Sequence, residues 1–232
     1  IKQSNRDCEV RVTKVVWSHS SLKDYEGCAR RYHEVKILKK YPFKETQAVI
    51  YGKELHKAAE DYVDKGEPLP EQFEFIQSTL DALMAKPGRK LVEYQMALTE
   101  DLQPTGWFDK NAWVRGVADL LIVDDDNLTA WVVDYKTGNN KYPDREQLKL
   151  MSLMVFVNFP HIREVKSALL FVVKNDMVKH TMTVDEAKAE WWKYRERVGR
   201  IAASIDADVW NPTRTPLCGW CPVKSCEFHK EH

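Results

Sequence analysis

Two apolar runs, Ala112–Val123 and Thr129–Thr137, flank the aspartate-rich segment Asp124–Asn127. They read as a β-hairpin, and a two-residue turn at Asp126–Asn127 would join them well. Positions that sum to 253 then face each other, so Val123 opposes Ala130 and Leu121 opposes Val132. Leu120, Ile122, Trp131 and Val133 make one face apolar, and Leu121, Val123 and Val132 do the same for the other. A hairpin that is apolar on both faces must be covered on both.

The rest of the chain supplies the covers. Ser18–Ser21 can cap a helix running to about Lys40, with Leu22, Tyr25, Ala29 and Tyr32 at helical spacing. Further helices are expected over Gln47–Asp64, Phe73–Met84, Asp144–Asn158 and Val184–Asp206. Lys90–Thr99 reads as a strand before the hairpin, and Val165–Lys174 and Met177–Thr183 as two strands after it. Helices, a β-meander, a helix, two strands and a helix predict an α/β fold with a central mixed β-sheet flanked by helices.

Composition removes several function classes. Lys+Arg and Asp+Glu are both 35, so net charge gives no general attraction to nucleic acid. From Cys28 to Lys57, however, eight basic residues stand against three acidic ones, a local +5. No apolar run reaches the roughly 18 residues of a membrane span, and "IKQSNRDCEV" has no signal-peptide core. The chain opens on Ile1 rather than methionine, which implies a preceding segment. A cytoplasmic location is expected, since five clustered cysteines and no leader suit a reducing compartment.

The hairpin carries an anomaly at its open end. Its register sets Asp119 opposite Asp134, where Cβ atoms lie roughly 4.5–5.5 Å apart. Lys136, two residues on, points to the same side as Asp134. Opposed carboxylates repel and raise each other's pKa, a conflict that a shared divalent cation removes. An Asp134–Lys136 ion pair at a strand end is the structural alternative. Glu93, on the preceding strand, can reach this region but is not counted among its residues. Tyr135, pointing the other way, is expected in the core.

"GVAD", a strand, and then "DYK" resemble the motif of the PD-(D/E)XK nuclease superfamily, with Ala118 at its proline position. The resemblance is strongest to the RecB-like and Cas4-like exonuclease branch. His56 in "YGKELHKAAE" stands at that branch's helical histidine, and Gln147 in "REQLKLM" at its glutamine. "SSLKDYEGCARRY" is similar to its N-terminal helix with the first cluster cysteine. The resemblance spans about Trp17 to Phe228. It implies a restriction-endonuclease-like core and metal-dependent DNA exonuclease activity on single strands or DNA ends. It also implies Mg²⁺ or Mn²⁺ on His56, Asp119 and Asp134, with Lys136 activating or orienting water and Gln147 positioning it or a phosphate. Met151 departs from the branch, which has a tyrosine there; altered substrate contact is the expected consequence. Met151 is also the one sequence feature favouring a non-catalytic DNA-binding or scaffold module.

"CGWCPVKSC" places Cys218, Cys221 and Cys226 where they can wrap one metal centre. His229 would complete a Cys₃His zinc site. Cys28, about 190 residues upstream, would instead complete four thiolates for a [4Fe–4S] cluster. The resemblance implies the second, a structural staple between N-terminal helix and C-terminal tail. A zinc-tailed protein of unrelated activity is the remaining alternative. Cys8 has no evident partner. Domains are expected at 1–16 (extension), 17–210 (nuclease core) and 211–232 (tail).

Arg30 and Arg31 follow Cys28, and Lys53 and Lys57 flank His56, so the basic stretch adjoins both sites and is expected to bind DNA. Tyr41, Phe43 and Tyr51 are candidate stacking platforms; Tyr32 is expected in the core. One of Trp191 and Trp192 is expected in the core and the other partly exposed. No GxxxxGK[ST] occurs, so strand unwinding would fall to a helicase or recombination partner. By analogy, DNA repair, recombination or phage DNA metabolism in a prokaryotic cell or a phage-infected host is the expected setting.

Overall fold

The hairpin forms in the register its sequence implies. In the computed structural model, which describes residues 15–229, strands β3 (Val114–Asp124) and β4 (Thr129–Lys136) pair antiparallel, with Leu120 opposite Val133 and Leu121 opposite Val132. The turn differs from expectation. The last pair is Asp124–Thr129, leaving a four-residue connection over 125–128. Asp124 explains this: its carboxylate accepts the Asn127 N–H at 3.1 Å and the Asn127 Nδ2 at 2.7 Å. Leu128 closes the loop at φ +53°. Register survives because the unpaired positions still face each other. Residues 1–14, including Cys8, lie outside the described residues.

Around this hairpin a six-stranded sheet assembles in the order β2-β1-β3-β4-β5-β6, where β1 is Arg89–Leu98, β2 Pro104–Thr105, β5 Glu164–Phe171 and β6 Asp176–Thr183. Only the β4–β5 pair is parallel, and helix α5 (Arg145–Asn158) makes the crossover such a pair needs. Gly88 admits β1 to the sheet. Its φ is +106°, and a Cβ there would lie 2.4 Å from the Val123 carbonyl oxygen. The fold is the expected α/β arrangement of a mixed sheet flanked by helices, consistent with a restriction-endonuclease-like core.

Each sheet face has its own core. Leu121, Val123 and Val132 pack with Leu150, Leu153 and Met154 of α5 and with Tyr194, Val198 and Ile201 of α7 (Trp191–Ala207). Helix α1 (His19–Gly27) adds Leu22. On the other face, Leu120, Ile122, Val133 and Tyr135 meet Leu55 and Ala59 of α3 (Gln47–Lys65) and Leu80 of α4 (Gln77–Met84). Tyr135 and Tyr32 are core, as expected, and Trp191 is buried whereas Trp192 is 59% exposed. No helix is long and apolar enough to cross a membrane among the described residues.

Several helices are shorter than their sequence periodicity suggests. The expected Ser18–Lys40 helix is broken at Cys28, which is extended (φ −168°, ψ 109°). Helix α2 (Ala29–Tyr32) and a π-helical turn, His33–Ile37, follow. The break turns Cys28 toward the tail, where the Thr213 N–H donates to its Sγ at 3.4 Å. The first residues of the expected Phe73–Met84 helix form a 3₁₀ turn over Glu71–Ile76. The expected Val184–Asp206 helix is divided into α6 (Val184–Lys188) and α7. At that joint the N–H groups of Ala189 and Glu190 donate to carbonyls three residues back, which tightens the turn. Val172–Lys174 leaves β5 as a 3₁₀ turn.

Candidate active site

Side-chain alternation slips by one residue at the same level on two neighbouring strands. In β3, Ala118 faces the α5 side, Leu120 the α3 side, and Leu121 the α5 side again. In β1, Leu91 and Tyr94 pack on the α5 side while Val92 packs on the other. The ladder pairs Val92 with Leu120 and Tyr94 with Ala118 but skips Glu93 and Asp119 between them. Glu93 sits at φ +46°, a conformation that costs a side-chain-bearing residue on the order of 1–3 kcal/mol. Pairing of β3 with β4 also ends at Leu120–Val133. Past that point the Tyr135 N–H donates to Asp119 Oδ2 at 2.7 Å, so a carboxylate replaces a ladder carbonyl. Glu93, Asp119 and Asp134 thus stand in a row across three adjacent strands.

Helix α3 brings the imidazole. Thr46 caps its start by accepting the Val49 N–H, and Gly66 ends it at φ +69°. Gly52 lets it approach the sheet, since a Cβ there would lie 3.3 Å from Thr137 Oγ1. One turn on, His56 Nε2 donates to the Tyr135 carbonyl oxygen at 2.9 Å. That bond fixes the tautomer, because a carbonyl can only accept. His56 Nδ1 then faces Asp119 Oδ2 at 3.4 Å. The ligand atoms of His56, Glu93 and Asp119 all lie within 4.8 Å of one another, the only such group of three His, Cys, Asp or Glu residues among the described residues. With Lys53, Lys57 and Glu60, His56 and Glu93 line an open cleft of about 450 Å³.

The second half of the site hangs from α5. Asp144, before its first turn, pairs with His19 at 3.1 Å and Lys23 at 2.5 Å, tying α5 to α1. Gln147 Nε2 donates to Asp134 Oδ1. Asp134 is only 7% exposed, and Lys136 Nζ stands 2.6 Å from its Oδ2. Oδ2 has that ammonium as its one paired charge and no other hydrogen-bond partner among the described residues.

Electrostatics follow from the crowding. Burial, then the Asp119 charge, push Asp134 up to about 6, against the pull of Lys136. Burial and Asp119 likewise raise Glu93. Burial works to lower the His56 pKa, but its bonds to Asp119 and the Tyr135 carbonyl outweigh it and the net shift is upward. Protons therefore gather where three carboxylates converge, as at a site that can exchange protons for a cation.

Other expected site residues divide between two places. Lys53 and Lys57 line the cleft, paired with Glu45 and with Asp61 (2.9 Å) and Glu60 (3.2 Å). Arg30 and Arg31 line a separate cavity instead. Arg31 pairs with Asp24, and Arg30 docks the tail through Glu227 (3.1 Å) and the Ser225 carbonyl (3.2 Å). Phe43 is exposed, whereas Tyr51 packs edge-on against Phe73. Met151 is 5% exposed, with its sulfur against Gly116 beneath the sheet, so it offers no surface for the altered substrate contact expected of it.

That separate cavity, about 710 Å³, is lined by Cys28, Cys218, Cys221, Cys226 and His229. Amide N–H groups of Thr213 and Thr215 point at Cys28 Sγ (3.4 Å) and Cys218 Sγ (3.2 Å). No three of these sulfurs lie within 4.8 Å of one another. A tetrahedral zinc with bonds of about 2.3 Å would hold them roughly 3.8 Å apart.

The sequence matches the family model of the PD-(D/E)XK nuclease superfamily over residues 16–226. Among solved structures it is similar to a Eubacterium rectale protein provisionally named an exonuclease, with 14% identity, TM-score 0.53, and coverage of 95% of this chain and 92% of the other. It is also similar, more distantly, to SSO0001, with 14% identity, TM-score 0.40, and coverage of 93% and 87%. No curated protein matches it.

Proposed function

The chain belongs to the PD-(D/E)XK nuclease superfamily, and on that premise we propose that it is a divalent-metal-dependent DNA exonuclease of the RecB-like and Cas4-like branch. The observation that carries this reading is the convergence of His56, Glu93 and Asp119 beside the Asp134–Lys136 pair. The donor set fits Mg²⁺ or Mn²⁺: hard carboxylate oxygens on Glu93 and Asp119, and one imidazole whose Nε2 is held by the Tyr135 carbonyl and whose Nδ1 faces the cluster, where a cation would displace its proton. On the geometry His56, Glu93 and Asp119 would hold the ion, while Asp134, expected as a ligand, lies outside that group and would act beside it with Lys136. When bound, such an ion polarises the scissile phosphate and acidifies water.

The chain's own residues do the rest. Lys136 offsets negative charge developing on the phosphate as water adds to phosphorus and the P–O ester bond breaks. Gln147 holds Asp134 in place. Lys53 and Lys57, which line the cleft, would guide the strand into it. Residues 17–210 would form the catalytic core and 211–232 its tail, stapled through Cys28, Cys218, Cys221 and Cys226 by a [4Fe–4S] cluster. The spread of the sulfurs supports a multi-atom cluster over a single zinc held with His229. The non-catalytic alternative drew on Met151, whose burial leaves it without a specific observation. Repair, recombination or phage DNA metabolism, with a helicase or recombination partner, is the proposed setting.

The test is digestion of end-labelled single-stranded DNA with Mn²⁺. Wild type is expected to shorten linear strands from an end and spare covalently closed circles. Equal digestion by wild type and Asp134→Ala would sink the catalytic assignment; digestion of circles would sink the exonuclease reading alone.

A pH dependence follows from Asp134. Its carboxyl ordinarily titrates near 3.9 in an unfolded chain and near 6 in the folded, metal-free site. The folded state therefore binds the extra proton between those values, and its stability falls as pH rises from about 4 to about 6. Mn²⁺ competes with that proton, so its affinity should climb over the same window and level off above it. Melting temperatures in EDTA and in Mn²⁺ across this range should diverge with rising pH. Parallel curves would contradict the assignment.

A further inference from the structure

The α3/α4 side of the sheet is left bare where it reaches β5 and β6. Helices α5 and α6 pack on β6 from the opposite side. Register fixes the rows there: Trp131, Lys166 and Thr181 in one, and Val133, Ala168 and Lys179 in the next, of which Val133 is buried and the β5 and β6 positions are the open ones. Alongside, α4 and the turn after it complete a cavity of about 500 Å³ over these rows, with Lys86 at its edge. That volume is in the range of small-ligand sites.

Its chemistry is specific. Lys86 Nζ lies 5.2 Å and Lys166 Nζ 5.8 Å from the centroid of the Trp131 ring. Lys166 pairs with Glu164 at 2.9 Å, but among the described residues neither Lys86 nor Lys179 has a carboxylate within 4 Å. Lysines on an edge strand discourage edge-to-edge pairing. That role concerns β6 alone and leaves unexplained why Lys86, from another element, converges on the same tryptophan. An indole beside two ammonium groups, with a third from Lys179 lining the same cavity, matches a base next to its phosphate.

We propose that this cavity is an accessory nucleotide site, distinct from the His56–Asp134 centre, in which a base stacks on Trp131 and its phosphate is held by Lys86, Lys166 and Lys179. The chemistry is that of a nucleotide, whether free or as one unit of a single DNA strand. The choice of DNA over other aromatic anions rests on the nuclease reading. By register, the Val133–Ala168–Lys179 row is followed by Tyr135–Leu170–Met177. Tyr135 is the residue between Asp134 and Lys136, but Tyr135 and Leu170 are buried, so register relates the two sites without a continuous exposed surface between them.

The test measures binding of a fluorescein-labelled oligothymidylate in EDTA, where cleavage plays no part. The full chain is compared with the double variant Lys86→Ala/Lys179→Ala, both at solvent-accessible positions. Affinity is expected to fall about tenfold, and the slope of log K against log salt to shrink by about 1.4, from two lost phosphate contacts at about 0.7 each. Competition with free dTMP separates the sources. Displacement of the oligomer by dTMP in wild type, lost in the variant, identifies a free-nucleotide site; binding of the oligomer alone identifies a strand-holding site. Unchanged affinity and slope in the variant overturn the proposal, even where Mn²⁺-dependent cleavage by wild type upholds the nuclease reading. Cleavage of saturating short oligomers should be equal in both proteins.

Discussion

Asp119→Asn is expected to lower Mn²⁺-dependent DNA cleavage by at least about 10²-fold while the protein stays folded. The asparagine is chosen because Asp119 has two roles. Its Oδ2 accepts the Tyr135 N–H at 2.7 Å, in place of the sheet bond that β3 and β4 cease to make there. An asparagine carbonyl oxygen can still accept that bond. What it cannot supply is the negative charge facing His56 Nδ1 at 3.4 Å. Fold and chemistry should therefore separate: little change in melting temperature in EDTA, and near-complete loss of activity. Asp119→Ala should lose both, because the Tyr135 N–H is left unpartnered at a cost of about 1–3 kcal/mol. Wild-type cleavage rates in Asp119→Asn would mean that the carboxylate is structural only.

Cys28→Ala is expected to produce the largest change in stability. The break in the N-terminal helix aims Cys28 at the cavity holding Cys218, Cys221 and Cys226. Joining residues 190 apart removes much loop-closure entropy from the unfolded chain. By analogy with covalent cross-links, losing the joint should cost about 2–5 kcal/mol. Iron and sulfide content and visible absorbance should fall together, and the tail around Asp208–Leu217 should become sensitive to protease. Arg30 still contacts Glu227 and Ser225, so its hold alone should slow release without preventing it. Unchanged iron content and melting temperature in Cys28→Ala would remove Cys28 from the staple.

The hairpin register was legible in the sequence because both of its faces are apolar, and a one-residue slip would have exposed one of them. The turn was not, since Asp124 bonds Asn127 through its side chain, a local choice that periodicity does not report. The Cys28 break was hidden for a related reason: helical spacing runs through Leu22, Tyr25 and Tyr32, and only the distant tail makes the interruption favourable. Glu93 marks the clearest limit. Its place opposite Asp119 depends on pairing between β1 and β3, which are joined through a long connection containing β2. No short turn fixes that register in advance. The paired slip at Glu93 and Asp119 breaks the alternation from which strand faces are read, and it does so at the level where the candidate ligands gather.

The central claim is that His56, Glu93 and Asp119, beside Asp134, form a divalent-cation site rather than a structural knot of charges. Manganese titration of metal-free protein, followed through the electron paramagnetic resonance signal of free Mn²⁺, measures this directly. Saturable binding is predicted in wild type, weakened at least about tenfold in each of His56→Ala, Glu93→Gln and Asp119→Asn. Affinity that is the same in all three variants as in wild type would contradict it.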